Sequence, residues 1–195
     1  MTMIKDWLSL ICGGGGLIVL IILILKSPTF ETQDNRLHQK LVRKNQNTFW
    51  RLVAWLNKPL LMVGWCFGLA FIQLVTHGWG RFCWVLAGLG FANVIGIIIK
   101  NTLRRERPSD HLDYDDDFSF PSGHVLGTTV MALMLWQLYG PTWWLGLLLI
   151  IWWGLVAVCR LTLRAHYPSD ILGATLLAIS WLGALNLIVA FIWGW

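Results

Sequence analysis

The sequence predicts an all-α integral membrane protein with six transmembrane helices and an amphipathic interfacial segment between the first and second. Three observations predict it. Apolar residues make up 56% of the 195 positions and mean hydropathy is +0.62, above the usual range of soluble domains. Apolar runs long enough for a helix to cross about 30 Å of hydrocarbon recur along the chain. Fourteen tryptophans include many near the ends of those runs, among them Trp7, Trp79, Trp143, Trp144, Trp193 and Trp195, as an aromatic belt requires. The whole chain, 1–195, reads as a single membrane-embedded domain.

The runs lie at about 7–25, 59–77, 81–100, 123–139, 142–160 and 170–192. Lys5 precedes the first and no small-residue cleavage site follows it, so this segment reads as an uncleaved anchor. The glycines from Gly13 to Gly16 suit close helix packing; a phosphate loop would need a preceding strand and a following Gly-Lys-Ser/Thr. Residues 26–58 are polar overall, yet Leu37, Leu41, Val42, Phe49, Leu52, Val53 and Leu56 recur at near-helical intervals, which predicts a segment lying on the membrane surface. The fourth run is short, and Gly140-Pro141 joins it to the fifth in a tight hairpin. Cys12, Cys66, Cys83 and Cys159 all lie inside apolar runs without ligand spacing and read as small buried hydrophobes, neither disulfides nor zinc ligands.

Net charge is +5, but the basic residues sit in loops between spans, so anionic lipid is the expected partner and nucleic acid is not. If successive spans alternate direction, the third and fifth end, and the fourth and sixth begin, on one face. Lys100, Gly123, Arg160 and Asp170 mark those four ends. Charged groups there are costly in lipid and predict a wet pocket at the interface.

That face carries Lys100 and Arg107-Pro108, then Pro121-Ser122-Gly123-His124, then Arg160, His166 and Asp170. Cleaving a phosphate ester needs cations on the equatorial oxygens, an in-line nucleophile and a proton for the leaving oxygen. Lys100, Arg107 and Arg160 supply the cations. The Ser122 hydroxyl and the N–H groups of Ser122 and Gly123, at a helix start, supply further donors. Asp170 follows His166 by four residues, a spacing that lets its carboxylate accept the Nδ1 proton and leave Nε2 as the nucleophile. His124 suits the general acid, and then the base that activates water. No cofactor or metal is called for.

The pattern K-x6-RP, PSGH, R-x5-H-x3-D resembles the type 2 phosphatidic acid phosphatase family, whose integral-membrane members dephosphorylate lipid phosphates. The motifs span residues 100–170, and the six-helix plan extends the likeness over nearly the whole chain. The resemblance implies that Lys100, Arg107, Ser122, Gly123, His124, Arg160, His166 and Asp170 are the functional positions. It departs at Cys159, where the family usually has serine, a change expected to alter packing only.

Other polar residues carry blander readings. The acidic run Asp113, Asp115, Asp116 and Asp117 reads as a solvated loop ahead of a magnesium site; Arg104, Arg105 and Arg164 as interface or headgroup contacts; His38, His77 and His111 as structural. The resemblance puts the pocket on the extracytoplasmic side of a bacterial plasma membrane. The charge distribution argues the reverse, since only Lys5 and Arg81 of fifteen basic residues lie on the terminus side. The expected function is metal-independent hydrolysis of a lipid phosphate or diphosphate through a phosphohistidine. Undecaprenyl diphosphate ranks first on compact size, then phosphatidylglycerophosphate or phosphatidic acid. A lipid phosphotransferase and a non-enzymatic anion-binding or transport protein are the competing classes.

Overall fold

The computed structural model describes residues 2–41, 47–108 and 118–193, and these are helical apart from short connections. The order is α1 (Thr2–Lys26), α2 (Pro28–Leu41), α3 (Thr48–Leu56), α4 (Pro59–His77), α5 (Trp79–Leu103), α6 (Gly123–Tyr139), α7 (Trp143–Thr162) and α8 (Pro168–Trp193). Proline opens α2, α4 and α8, where its missing N–H has no helical acceptor to serve. Gly78 alone joins α4 to α5, and Gly140 ends α6 before the expected hairpin into α7. Their φ values of 86° and 83° are why glycine stands at both.

Helices α1, α4, α5, α7 and α8 are each long and apolar enough to cross a membrane, which makes the chain an integral membrane protein. The fourth expected span, α6, has 17 residues and sits inside the bundle against α4, α5, α7 and α8. Every residue from His124 to Ala132 is buried, as befits a helix apolar on all sides. The outer helices instead turn large apolar side chains outward, Phe71, Ile97 and Ile150 among them, as a lipid-facing surface does.

The glycine run does serve close packing. A Cβ on Gly13 would come within 2.9 Å of the Ser180 backbone nitrogen, and one on Gly183 within 2.7 Å of the Asp6 carbonyl oxygen, so α1 and α8 touch almost backbone to backbone. One expectation needs correction. Cys66 and Cys159 are buried, but Cys12 and Cys83 are exposed on the outer surface, where a thiol is as acceptable to lipid as a methyl group. Among the described residues the segment 26–58 forms α2 and α3, and α2 docks by polar groups: Asp34 and His38 are buried while Leu37 and Leu41 remain exposed. Helix α3 buries Val53 and Ala54 and packs on α7, with Phe49, Leu52 and Leu56 exposed. Val42, His111 and the acidic run Asp113 to Asp117 lie outside the described residues.

Candidate active site at one end of the bundle

Helix α7 ends in a Schellman turn. The Ala165 N–H donates to the Arg160 carbonyl at 3.1 Å and the Arg164 N–H to the Leu161 carbonyl at 3.0 Å, with Arg164 at φ 55° in the position that usually holds glycine. This reversal carries His166 back over the end of its own helix. Helix α8 then starts with half of a capping box, in which the Asp170 carboxylate accepts the Tyr167 N–H at 2.8 Å.

Four helix ends meet here, as the alternation of spans predicts. Arg107 donates to the Ala165 carbonyl at 3.1 Å, and the charges of Arg160, Arg107 and Lys100 all act on the His166 ring. Arg160 and His166 are also within electrostatic reach of His124. Arg160, Ser122 and Asp170 are wholly buried, and His124 and His166 nearly so. The His124 ring hydrogen-bonds the backbone of Ala54 in α3, while its Nε2 and the Ser122 hydroxyl are buried with no hydrogen-bond partner among the described residues. Buried polar atoms of that kind suit a polar ligand.

The structure revises two details of the sequence reading. The His166 Nδ1 lies 2.8 Å from the Ser119 carbonyl and 3.5 Å from the Asp170 Oδ2. A carbonyl only accepts, so Nδ1 carries the proton and donates it to Ser119, and the lone pair is on Nε2. The expected tautomer is present, held by a backbone oxygen in place of Asp170. The Ser122 N–H is also committed elsewhere, donating to the Asp170 carbonyl at 3.3 Å and tying α6 to α8.

Asp170 instead belongs to a buried charge cluster that includes two residues outside the predicted set. The Arg105 guanidinium lies 2.7 Å from Asp170 Oδ1 and 2.7 Å from Asp34 Oδ2, donates to the Ser169 hydroxyl at 2.6 Å, and sits 4.3 Å from the Tyr167 ring centroid. Asp34 in turn accepts the Ser169 N–H at 3.2 Å and the Ser169 hydroxyl. Arg105 is therefore no headgroup contact; it joins α2 to the start of α8. Arg104 is exposed and ends α5 at φ 49°. The Cys159 thiol points to the Trp50 carbonyl of α3 at 3.2 Å.

A cleft of about 690 Å³ opens beside Arg107, between α2, the segment after α5 and the His166 loop. Arg105, Arg164, Tyr167 and His38 also line it.

The sequence model of the PAP2 superfamily matches residues 81–193, more than half of the chain and all three motifs. The chain belongs to the PAP2 superfamily. It is 35% identical over 130 residues to a decaprenylphosphoryl-5-phosphoribose phosphatase of Mycobacterium tuberculosis, a match covering 60% of this chain and 70% of that protein. Phosphatidylglycerophosphatase B of Haemophilus influenzae is 36% identical over 75 residues, covering 35% of this chain and 31% of its own. The crystal structure of a transmembrane PAP2-type phosphatidylglycerolphosphate phosphatase from Bacillus subtilis shares the fold, with a TM-score of 0.75 at 18% identity over 95% of this chain and 98% of that one. This PAP2 protein is a lipid phosphate phosphatase, a phosphoric monoester hydrolase.

Two outcomes follow from the site's electrostatics. Arg105→Ala leaves two buried carboxylates without their shared cation and lowers stability by about 3–5 kcal/mol, whereas Arg104→Gly at the exposed neighbour costs nothing comparable; thermal melting in detergent separates them. Burial, then the charges of Arg160, Arg107 and Lys100, hold His166 well below the ordinary imidazole value of 6.5, against the opposing pull of the Ser119 bond. Below pH 6.5 the unfolded chain binds a proton at His166 that the folded chain does not. Stability is therefore full above that pH and falls below it by up to about 1.4 kcal/mol per pH unit for this group. The melting temperature of His166→Asn falls less steeply over the same range; equal slopes would contradict a neutral imidazole.

Proposed function

We propose that this PAP2 phosphatase hydrolyses a phosphomonoester carried by a membrane lipid, without a metal, through a phosphohistidine at His166. The convergence of Lys100, Arg107 and Arg160 on an imidazole whose Nδ1 is pinned to the Ser119 carbonyl carries this reading. The cations and the Ser122 hydroxyl hold the phosphoryl oxygens, and His166 Nε2 attacks phosphorus as the bond to the leaving oxygen breaks. His124 delivers the proton to that oxygen. Water then attacks the phosphohistidine, giving its proton to His124; the P–N bond breaks and orthophosphate leaves. Asp170 contributes charge and holds the His166 loop through the Tyr167 N–H.

The relatives' names favour a phosphomonoester on a sugar-bearing or glycerol-bearing lipid over the undecaprenyl diphosphate ranked first from compact size. A panel of these lipids, assayed for free phosphate with purified protein in EDTA, tests the proposal. Phosphate release is expected with EDTA present, His124→Ala lowering the rate about 10²–10⁴-fold and His166→Ala abolishing turnover. Full activity in both variants would overturn the mechanism.

We further propose that α6 is a sixth crossing and that the site faces the extracytoplasmic side of a bacterial plasma membrane. Buried among four longer helices, α6 needs to match no lipid thickness. In intact cells an impermeant thiol reagent is expected to label a single cysteine placed at Arg36 in α2, and to spare one placed at Trp79. The opposite pattern would put the site in the cytoplasm, as the charge distribution argues.

A further inference from the structure

The cleft beside Arg107 has walls of two kinds. Its volume of about 690 Å³ falls in the usual range for a small-molecule site, about 300–1,000 Å³. Arg107 and Arg164 supply its cationic wall, and Arg164 is nearly buried at the α7 turn. Glu31, Asn35 and Gln39, spaced four residues apart and so aligned as one stripe along α2, also line it, with His38, Tyr167, Arg105 and Glu106. The neighbouring stripe, Asp34 and His38, is the buried one, and the ion pair of Asp34 with Arg105 fixes how α2 presents the first. Leu103, Ile24 and Leu25 line the cleft as its apolar contribution.

This chemistry discriminates among occupants. A carboxylate beside two carboxamides accepts and donates hydrogen bonds as hydroxyl groups do, while an arginine takes phosphate oxygens in pairs. An acyl or prenyl tail would strip water from those polar groups and return no hydrogen bond. A second bare phosphate pushed onto the α2 wall would meet the Glu31 carboxylate at close range. A polyol carrying phosphate at one end matches both walls.

We propose that the cleft is a headgroup subsite: Glu31, Asn35 and Gln39 bind the hydroxyls of a sugar or glycerol unit that links the cleaved phosphate to the lipid, and Arg164 meets the phosphate on that unit's lipid side. The proposal rests on the lipid phosphatase reading and adds the selection of substrate by α2. Glu31, Asn35 and Gln39 are all exposed, so their replacement leaves the packing of the bundle alone.

The test compares kcat/KM for phosphatidylglycerophosphate, whose terminal phosphate sits on a headgroup glycerol with a free hydroxyl, with kcat/KM for phosphatidic acid, whose single glycerol is fully esterified and offers no hydroxyl. Full-length protein in detergent is used. Wild type is expected to favour the first lipid, Glu31→Ala to lower that preference about tenfold, the size of one charge-assisted hydrogen bond, and Asn35→Ala to lower it about fivefold, the size of a neutral one. Gln33→Ala, on the opposite face of α2 and outside the cleft, is expected to leave the preference as it is. A wild type with no preference, or variants that keep it, would overturn the subsite. Release of phosphate from neither lipid nor any other lipid of the panel would instead overturn the phosphatase reading beneath it.

Discussion

Arg105 holds two carboxylates at once, and the site end of the bundle is organised around that bond. Asp170 is wholly buried, and an ionised carboxylate withdrawn from water costs several kcal/mol unless a cation and hydrogen bonds replace the solvent. Here Arg105 takes one oxygen and the Tyr167 N–H the other. The same guanidinium reaches Asp34, so a polar helix that would otherwise lie loose on the surface is fastened across the start of α8. Position in the first turn of α8 also sets the Asp170 charge against the positive end of the helix dipole. The cluster couples three separate stretches of sequence through one cation.

The two histidines are fixed by the backbone. His166 donates to the Ser119 carbonyl and His124 bonds the backbone of Ala54, so each ring is oriented by a main-chain group. A backbone oxygen carries no net charge. His166 is therefore held in one tautomer by a neutral acceptor, and burial with the surrounding cations presses it toward neutrality. Such a ring is oriented before any ligand arrives.

Much of this was legible in the sequence, and for identifiable reasons. Five of the six expected spans could be counted because crossing a bilayer demands length and hydropathy, and both are local properties. The meeting of Lys100, His124, Arg160 and His166 followed from alternating direction alone. Arg105 and Asp34 were not legible, because a charged residue in a loop or on a polar helix looks the same whether it meets solvent or a buried partner. A weak trace did exist: Asp34 and His38 share one face of α2, at four-residue spacing, while apolar Leu37 and Leu41 lie on another. The C-terminal ends of α5 and α7 were misplaced by a turn or less for a related reason. Both α5 and α7 stop at arginines with positive φ, Arg104 and Arg164, where glycine would have announced the ending.

The bundle is built unevenly from end to end. Away from the site, α4 turns into α5 through Gly78 alone and α6 turns into α7 within Gly140, Pro141 and Thr142. At the site end the chain spends α2, α3, the stretch after α5 and the His166 loop. Spare length is thus collected on one side of the membrane, where α2 can change its exposed stripe while Asp34 keeps it attached. One frame can in this way be re-addressed to a different lipid by a few surface substitutions, with no repacking of the helices that position the histidines.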